Sequence, residues 1–220
     1  MGRVIAFDVN ETLLDLGALD PHFERAFGSA AAREQWFGQM LQLAFVGGLT
    51  ARYVDFGAAQ RAALVMLAQR HGAEVDVDEV VGGMRSLPPH DDAADGLDAL
   101  RAAGFPLAAI TNSTLDVAEA QLAHAGLADR FDAILSADEV CALKPRREPY
   151  ELVARTFDAQ LGEVRLVAAH AWDIAGALAA GCAAAFVARA GKVLRPLGEQ
   201  PDVVAGDLRE VAAQIVARDG

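Results

Sequence analysis

From position 91 to the C-terminus, short apolar runs alternate with amphipathic stretches that end on glycine, and few architectures other than a layered α/β sheet accept that pattern. The runs over 107–110, 132–135, 164–168, 183–187 and 203–204 read as strands. The segments over 93–103, 115–125, 148–157, 173–180 and 208–217 read as helices. Gly104, Gly126 and Gly181 fall just past three helix ends, where a residue without Cβ closes the last turn at least cost. Strands joined through helices pair in parallel with right-handed crossovers. The fold class expected is therefore α/β, a doubly wound parallel sheet.

The first strand stands apart. Val4-Ile5-Ala6-Phe7 is an uninterrupted apolar run, as a strand buried on both faces requires, and it delivers Asp8, Asn10, Glu11 and Thr12 at its C-terminal end. Open α/β sheets hold their ligands at that end, which makes Asp8 the centre of the expected site. From about 16 to 89 the periodicity is helical instead. Helices are expected over 21–32, 33–45, 51–71 and 77–85, with breaks at Gly47-Gly48 and His71-Gly72. Asp20 is expected to cap the first, with Pro21 in its first position, and Thr50 to cap the third. The organisation expected is a core of 1–15 and 90–220 carrying an inserted four-helix cap subdomain over 16–89.

Composition excludes several functions. Nineteen Lys and Arg against 31 Asp and Glu give a formal charge of -12, a surface that repels nucleic acid and anionic membranes. The uncharged run 174–188 is shorter than a bilayer crossing and contains Gly176 and Gly181. Cys141 and Cys182 are too few and too isolated for a disulfide framework or a cysteine-based zinc site, and none of the five histidines pairs at metal-ligand spacing. With no charged and apolar leader before the first strand, the chain is expected in the cytoplasm, without a nucleic-acid or membrane partner and without a cofactor.

Three further stretches carry chemistry. Thr111-Asn112-Ser113 follows one strand and precedes a helix, where backbone N–H groups, hydroxyl and amide together can hold a carboxylate or phosphate. Lys144-Pro145 is followed by Tyr150, a lysine ammonium and a phenol within seven residues. Ala169-His170-Ala171-Trp172-Asp173 closes another strand. With the Asp8-Val9-Asn10-Glu11-Thr12-Leu13 stretch, these resemble the four motifs of the haloacid dehalogenase superfamily: nucleophilic Asp in a DxxxTL pattern, a strand ending in Ser or Thr, a Lys-Pro followed by Tyr, and an acidic terminus. Phosphatases of that superfamily carry an acidic pair in the last motif and a general-acid Asp two residues after the nucleophile. Here Ala169 and Asn10 occupy those places, which removes metal-dependent phosphatase chemistry. The Ala171-Trp172-Asp173 run is similar to the L-2-haloacid dehalogenase branch.

That resemblance implies a metal-independent hydrolase that converts short L-2-haloacids to 2-hydroxy acids with inversion, through an ester on Asp8. Lys144 is then the partner of the nucleophile, Thr12 holds it, and Asp173 supports Lys144 or water. Asn10, Thr111, Asn112, Tyr150, Trp172, Phe37 and Phe56 line the substrate. Two departures stand out. Family members have an Arg directly after a cap Trp, near the departing halide, whereas Trp36 is followed by Phe37. Many have Asn in place of His170 and a small residue in place of Glu11, and a Glu11–His170 dyad would activate water here. The resemblance also implies a homodimer. The alternatives are a phosphatase of the same fold and a catalytically silent binder of small carboxylates.

Overall fold

The computed structural model describes residues 3–220. Its strands β1 (Val4–Phe7), β2 (Leu107–Thr111), β3 (Ala133–Ser136), β4 (Val164–Ala168), β5 (Ala183–Val187) and β6 (Val203–Ala205) form one sheet in the order β3-β2-β1-β4-β5-β6. Every pair is parallel. The chain moves outward from β1 to β2 and β3, then crosses back to β4 on the other side of β1. This reversal is the topological switch point at which such sheets open a crevice. Phe7 lies opposite both Ala109 and Val167, so the ends of β1, β2 and β4 come out level and deliver their loops to one place.

Alternation along each strand divides the interior in two. Ile5, Phe7, Leu107, Ala109, Val167 and Val187 face one apolar core, shared with helices α5 (Ala93–Ala102), α6 (Leu115–His124) and α9 (Leu208–Asp219). Val4, Ala6, Ala108, Ile110, Leu166 and Phe186 face the other, shared with α7 (Arg147–Thr156) and α8 (Ala171–Ala180). A strand buried on both faces has no polar side, which is why β1 and β2 read as continuous apolar runs. The helix ends fall where expected: Gly181 takes a left-handed φ of 96° behind α8, and its N–H closes on Ala177 and Leu178.

Between β1 and β2 the chain forms α1 (Asp20–Phe27), α2 (Ala32–Leu49), α3 (Phe56–His71) and α4 (Val77–Gly83). Several boundaries differ from the sequence reading. Helix α1 stops at Gly28, whose φ is 71°. Asp20 is its first residue and makes no cap bond, because its carboxylate is taken by Arg33 Nε at 2.5 Å. Gly47-Gly48 does not break α2. A Cβ on Gly47 would lie 2.8 Å from the Arg52 carbonyl oxygen, so the glycine permits the chain to fold back against its own helix. Thr50 ends α2 rather than starting α3: its Oγ1 donates to the Val46 carbonyl at 2.8 Å. The cap of α3 is Asp55, which accepts from Ala58 N at 2.8 Å. Helix α8 begins two residues earlier than expected, so Trp172 and Asp173 lie in its first turn.

Among the described residues, no helix is long and apolar enough to cross a membrane. The contact that holds the Lys144 loop is the crossing of α8 over Pro145. A Cβ on Gly176 would sit 2.5 Å from the Pro145 Cβ and 2.6 Å from Tyr150 Oη. Replacing Gly176 by Ala is expected to cost about 1–3 kcal/mol in urea unfolding, as overpacked cores do. Gly82→Ala, where a Cβ meets nothing within 4 Å, is the control and changes stability little.

Candidate active site

Asp8 follows β1 directly and is pinned by its N–H, which donates to Val167 O at 3.0 Å. The residue is 4% exposed, so each carboxylate oxygen must find donors within the protein. Oδ1 accepts from Lys144 Nζ at 2.9 Å and Oδ2 accepts from Thr12 Oγ1 at 2.7 Å. The Thr12 hydroxyl in turn accepts from Ala169 N at 2.9 Å, tying the β1 loop to the end of β4. Lys144 is wholly buried, and its remaining donors go to Asp173 Oδ2 at 2.6 Å and to the Ile110 carbonyl at 2.9 Å. An ammonium has three donors, and all three are committed. Asp173 completes the chain by accepting from Tyr150 Oη at 2.6 Å.

A buried ion cluster persists only when each charge is paired, and this one meets that condition. Burial alone would raise the Asp8 pKa, but the Lys144 charge and the His170 contacts outweigh it and hold Asp8 well below the usual carboxylate range. Burial works against the Lys144 charge too, and the carboxylates of Asp173 and Asp8 reverse that and raise it. Asp173, wholly buried and close to the charge of Asp8, is pushed upward.

His170 ends β4 and bridges two carboxylates, with Nδ1 3.1 Å from Asp8 Oδ2 and Nε2 2.8 Å from Glu11 Oε2. Burial disfavours its charged form, but the hydrogen bonds and negative charges of Asp8 and Glu11 more than compensate and raise its pKa to about 9. The resting imidazole is therefore an imidazolium, donating from both nitrogens. Burial likewise raises Glu11, and the bond and charge of His170, helped by Lys192, bring it down to about 2. Glu11 has a φ of 61°, a left-handed conformation that costs a non-glycine residue about 1 kcal/mol or more. Its side chain is held by His170, by Lys192 Nζ at 2.7 Å and by Arg33 Nη1 at 3.5 Å. Phe37 and Trp172 both stack on the imidazole, with ring centroids 5.5 and 5.1 Å away.

The other expected residues occupy defined places. Asn112 spans to the Lys144 backbone, accepting its N–H at 2.8 Å and donating to its carbonyl at 3.1 Å, and so sets the height of the lysine. Thr111 is buried at the end of β2, where its Oγ1 accepts from Ser113 N at 3.2 Å. Asn10 is turned to Ser113 Oγ at 3.2 Å and to Gln121 Nε2 at 3.0 Å. Phe56 is buried in the apolar core at the start of α3 and makes none of the ring contacts with His170 that Phe37 and Trp172 make. A separate cavity of 590 Å³ is lined by Phe45, Leu143, Pro145 and their neighbours but by neither Asp8 nor His170. Lys192 and Arg33 escaped the sequence reading. Lys192 lies in a long irregular loop without a motif; Arg33 is four residues before Phe37, hence on the same face of α2, and that spacing could have shown it.

The superfamily's phosphatases hold Mg²⁺ at this end of the sheet, and the donor set here does not fit one. Ala169 offers no oxygen side chain, Asn10 is bonded elsewhere, and the Lys144 ammonium already stands between Asp8 and Asp173. Comparison with protein families matches residues 3–181 to the haloacid dehalogenase-like hydrolases. The chain belongs to that family. Among members of this hydrolase family, the (S)-2-haloacid dehalogenase of Pseudomonas sp. strain YL is 30% identical over 212 residues, covering 94% of this chain and 91% of the relative. The (S)-2-haloacid dehalogenase of Xanthobacter autotrophicus is 31% identical over 194 residues, covering 86% and 76%. A solved structure of the Xanthobacter L-2-haloacid dehalogenase with chloropropionic acid covalently bound superposes with a TM-score of 0.91 at 27% identity, over 100% of both chains.

The charge state of His170 has a measurable consequence. A histidine whose pKa is higher folded than unfolded stabilises fully below its unfolded value, near 6.5, and loses that contribution as pH rises towards its folded value of about 9. Thermal stability of the protein is expected to fall between those pH values, and the fall to be shallower in His170→Asn. Glu11 acts at the other end: its contribution is lost as pH drops from 4.5 towards about 2. Melting scans across both windows check each sign.

Proposed function

We propose that the protein hydrolyses short (S)-2-haloacids to 2-hydroxy acids with inversion, through an ester on Asp8 and without a metal. The observation that carries this is the state of Asp8: a buried carboxylate, ionised, aligned by Lys144 and Thr12. A carboxylate stripped of water and fixed in direction is a far better nucleophile than one in solution. The names of the relatives and the covalently bound chloropropionic acid in the Xanthobacter structure support the same reading.

In the first step an Asp8 oxygen attacks C2 of the acid. The C–O bond forms as the carbon–halogen bond breaks, and the halide leaves with the electron pair from the opposite face. Oδ1, which carries one donor against two on Oδ2, keeps the freer lone pair for this attack. Among the described residues Trp172 Nε1 is buried without an acceptor, so an N–H stands ready beside the imidazole stack for the departing anion.

Esterification then changes His170. The Asp8 carboxylate is one of the two charges that raise the imidazole pKa, and the ester removes it. The imidazolium gives up its proton to solvent and becomes a base, oriented by Glu11. It takes a proton from water as the oxygen attacks the Asp8 carbonyl carbon. The tetrahedral adduct expels the 2-hydroxy acid oxygen, which is protonated by His170, and the Asp8 carboxyl then passes its proton to His170, which restores both the carboxylate and the imidazolium. One halide and one proton are released per turnover.

Helices of the segment 16–89 act as a cap over the core of 1–15 and 90–220 and supply Phe37, which shields the imidazole from water. A homodimer belongs to the same reading through the resemblance. A cytoplasmic location agrees with two free cysteines, one exposed.

Halide release from L- and D-2-chloropropionate, with chelator present, tests the proposal. Release from the L isomer alone, lost in Asp8→Asn, is the expected result. Release from neither isomer, or release that the chelator stops, overturns it.

A further inference from the structure

Apart from the Trp172 indole N–H, which carries no charge, the groups around Asp8 have almost no donors left. Lys144 spends all three on Asp8, Asp173 and Ile110, both His170 nitrogens are engaged, and the Thr12 hydroxyl donates to Asp8. The Asn112 amide is tied to the Lys144 backbone through both its oxygen and its nitrogen. A leaving anion therefore needs a cation from elsewhere. The residue after Trp36 provides none, because it is Phe37.

Lys192 stands beside that phenylalanine. Its ammonium is 5.8 Å from the centroid of the Phe37 ring and 2.7 Å from Glu11 Oε2, the oxygen that also takes His170 Nε2. One of its three donors serves Glu11, and the side chain is 25% exposed, so the others remain open to a ligand. We infer that Lys192, delivered by the loop between β5 and β6, is the cation that receives the departing halide. This rests on the dehalogenase reading above.

The charge balance explains why it does so at the right moment. Before attack, the charges of Asp8 and Glu11 are matched by His170 and Lys192, Lys144 is matched by Asp173, and Arg33 by Asp20. Attack moves the negative charge from Asp8 to the halogen, and the Asp8 ester is neutral. The cluster is then left with one positive charge in excess beside the new anion. Glu11 fixes the ammonium against Phe37 and is a positioning residue in this role. A cation held in advance where charge develops stabilises the transition state without reorganisation. The Phe37 ring face supports the ammonium as a cation–π partner while leaving its two remaining donors unspent.

The test compares Lys192→Met and Lys192→Arg with the native protein, on L-2-bromopropionate and L-2-chloropropionate, together with bromide binding followed by tryptophan fluorescence in the absence of substrate. Lys192→Met is expected to lose on the order of 10²-fold in kcat with the chloro acid, the usual cost of one such donor, and distinctly less with the bromo acid, whose leaving group needs less help. The bromo-to-chloro ratio therefore rises, bromide binding weakens, and Lys192→Arg recovers most of both. An unchanged ratio and unchanged bromide affinity in Lys192→Met, while the native protein releases halide, overturns the assignment and leaves the function standing. Lys192-dependent bromide binding by a native protein that releases no halide from either acid keeps the anion site and overturns the dehalogenase reading. Native protein that neither binds bromide nor releases halide overturns both.

Discussion

A carboxylate with almost no access to water stays ionised only beside fixed cations, and Asp8 has two. Lys144 reaches it through the interior from the far side of β2, and His170 reaches it from the end of β4. The cost of burying these charges is offset because each cation is shared with a second carboxylate, Asp173 or Glu11. The outcome is two linked ion pairs meeting at one carboxylate. Removing any member leaves a buried charge uncompensated, so the cluster is a unit in stability as well as in chemistry.

The sheet exists in a form that makes this unit possible. Reversal of strand order at β1 brings the ends of β2 and β4 to either side of Asp8, and the level register puts Thr111, Asn112, Ala169 and His170 within reach. Because the strands are buried on both faces, their positions are fixed by close packing rather than by loops. The strain at Glu11 then has a physical setting. Its left-handed backbone is paid for by three cationic contacts on its side chain, and it links the core, the β5–β6 loop and α2 through one carboxylate.

Most of the core was legible because its signals are local. The apolar runs of β1, β4 and β5 and the glycines at 126 and 181 each report on their own neighbourhood, and Asp8, Lys144 and Asp173 follow from motifs attached to those elements. The helices inserted after β1 were harder to bound. Gly47-Gly48 looks like a break but serves a close approach to Arg52, and Asp20 looks like a cap but answers to Arg33, thirteen residues away. Both depend on tertiary contacts that override local preference. The Glu11–His170 pair was visible as two departures from the family pattern, and the structure places them 2.8 Å apart. Its protonation was not visible, because the imidazole pKa depends on Asp8 and Glu11 flanking it together. Lys192 had no local signal at all: it is 181 residues from Glu11 along the chain.

The proposed chemistry turns on an ester whose oxygen comes from Asp8 and whose hydrolysis depends on His170. Intact-mass analysis of His170→Ala and His170→Asn after incubation with L-2-chloropropionate tests it most directly. The account predicts one halide released per protein and a stable mass increase that maps to the peptide carrying Asp8. Sustained turnover in these variants at the native rate, or halide release without added mass on Asp8, would contradict it.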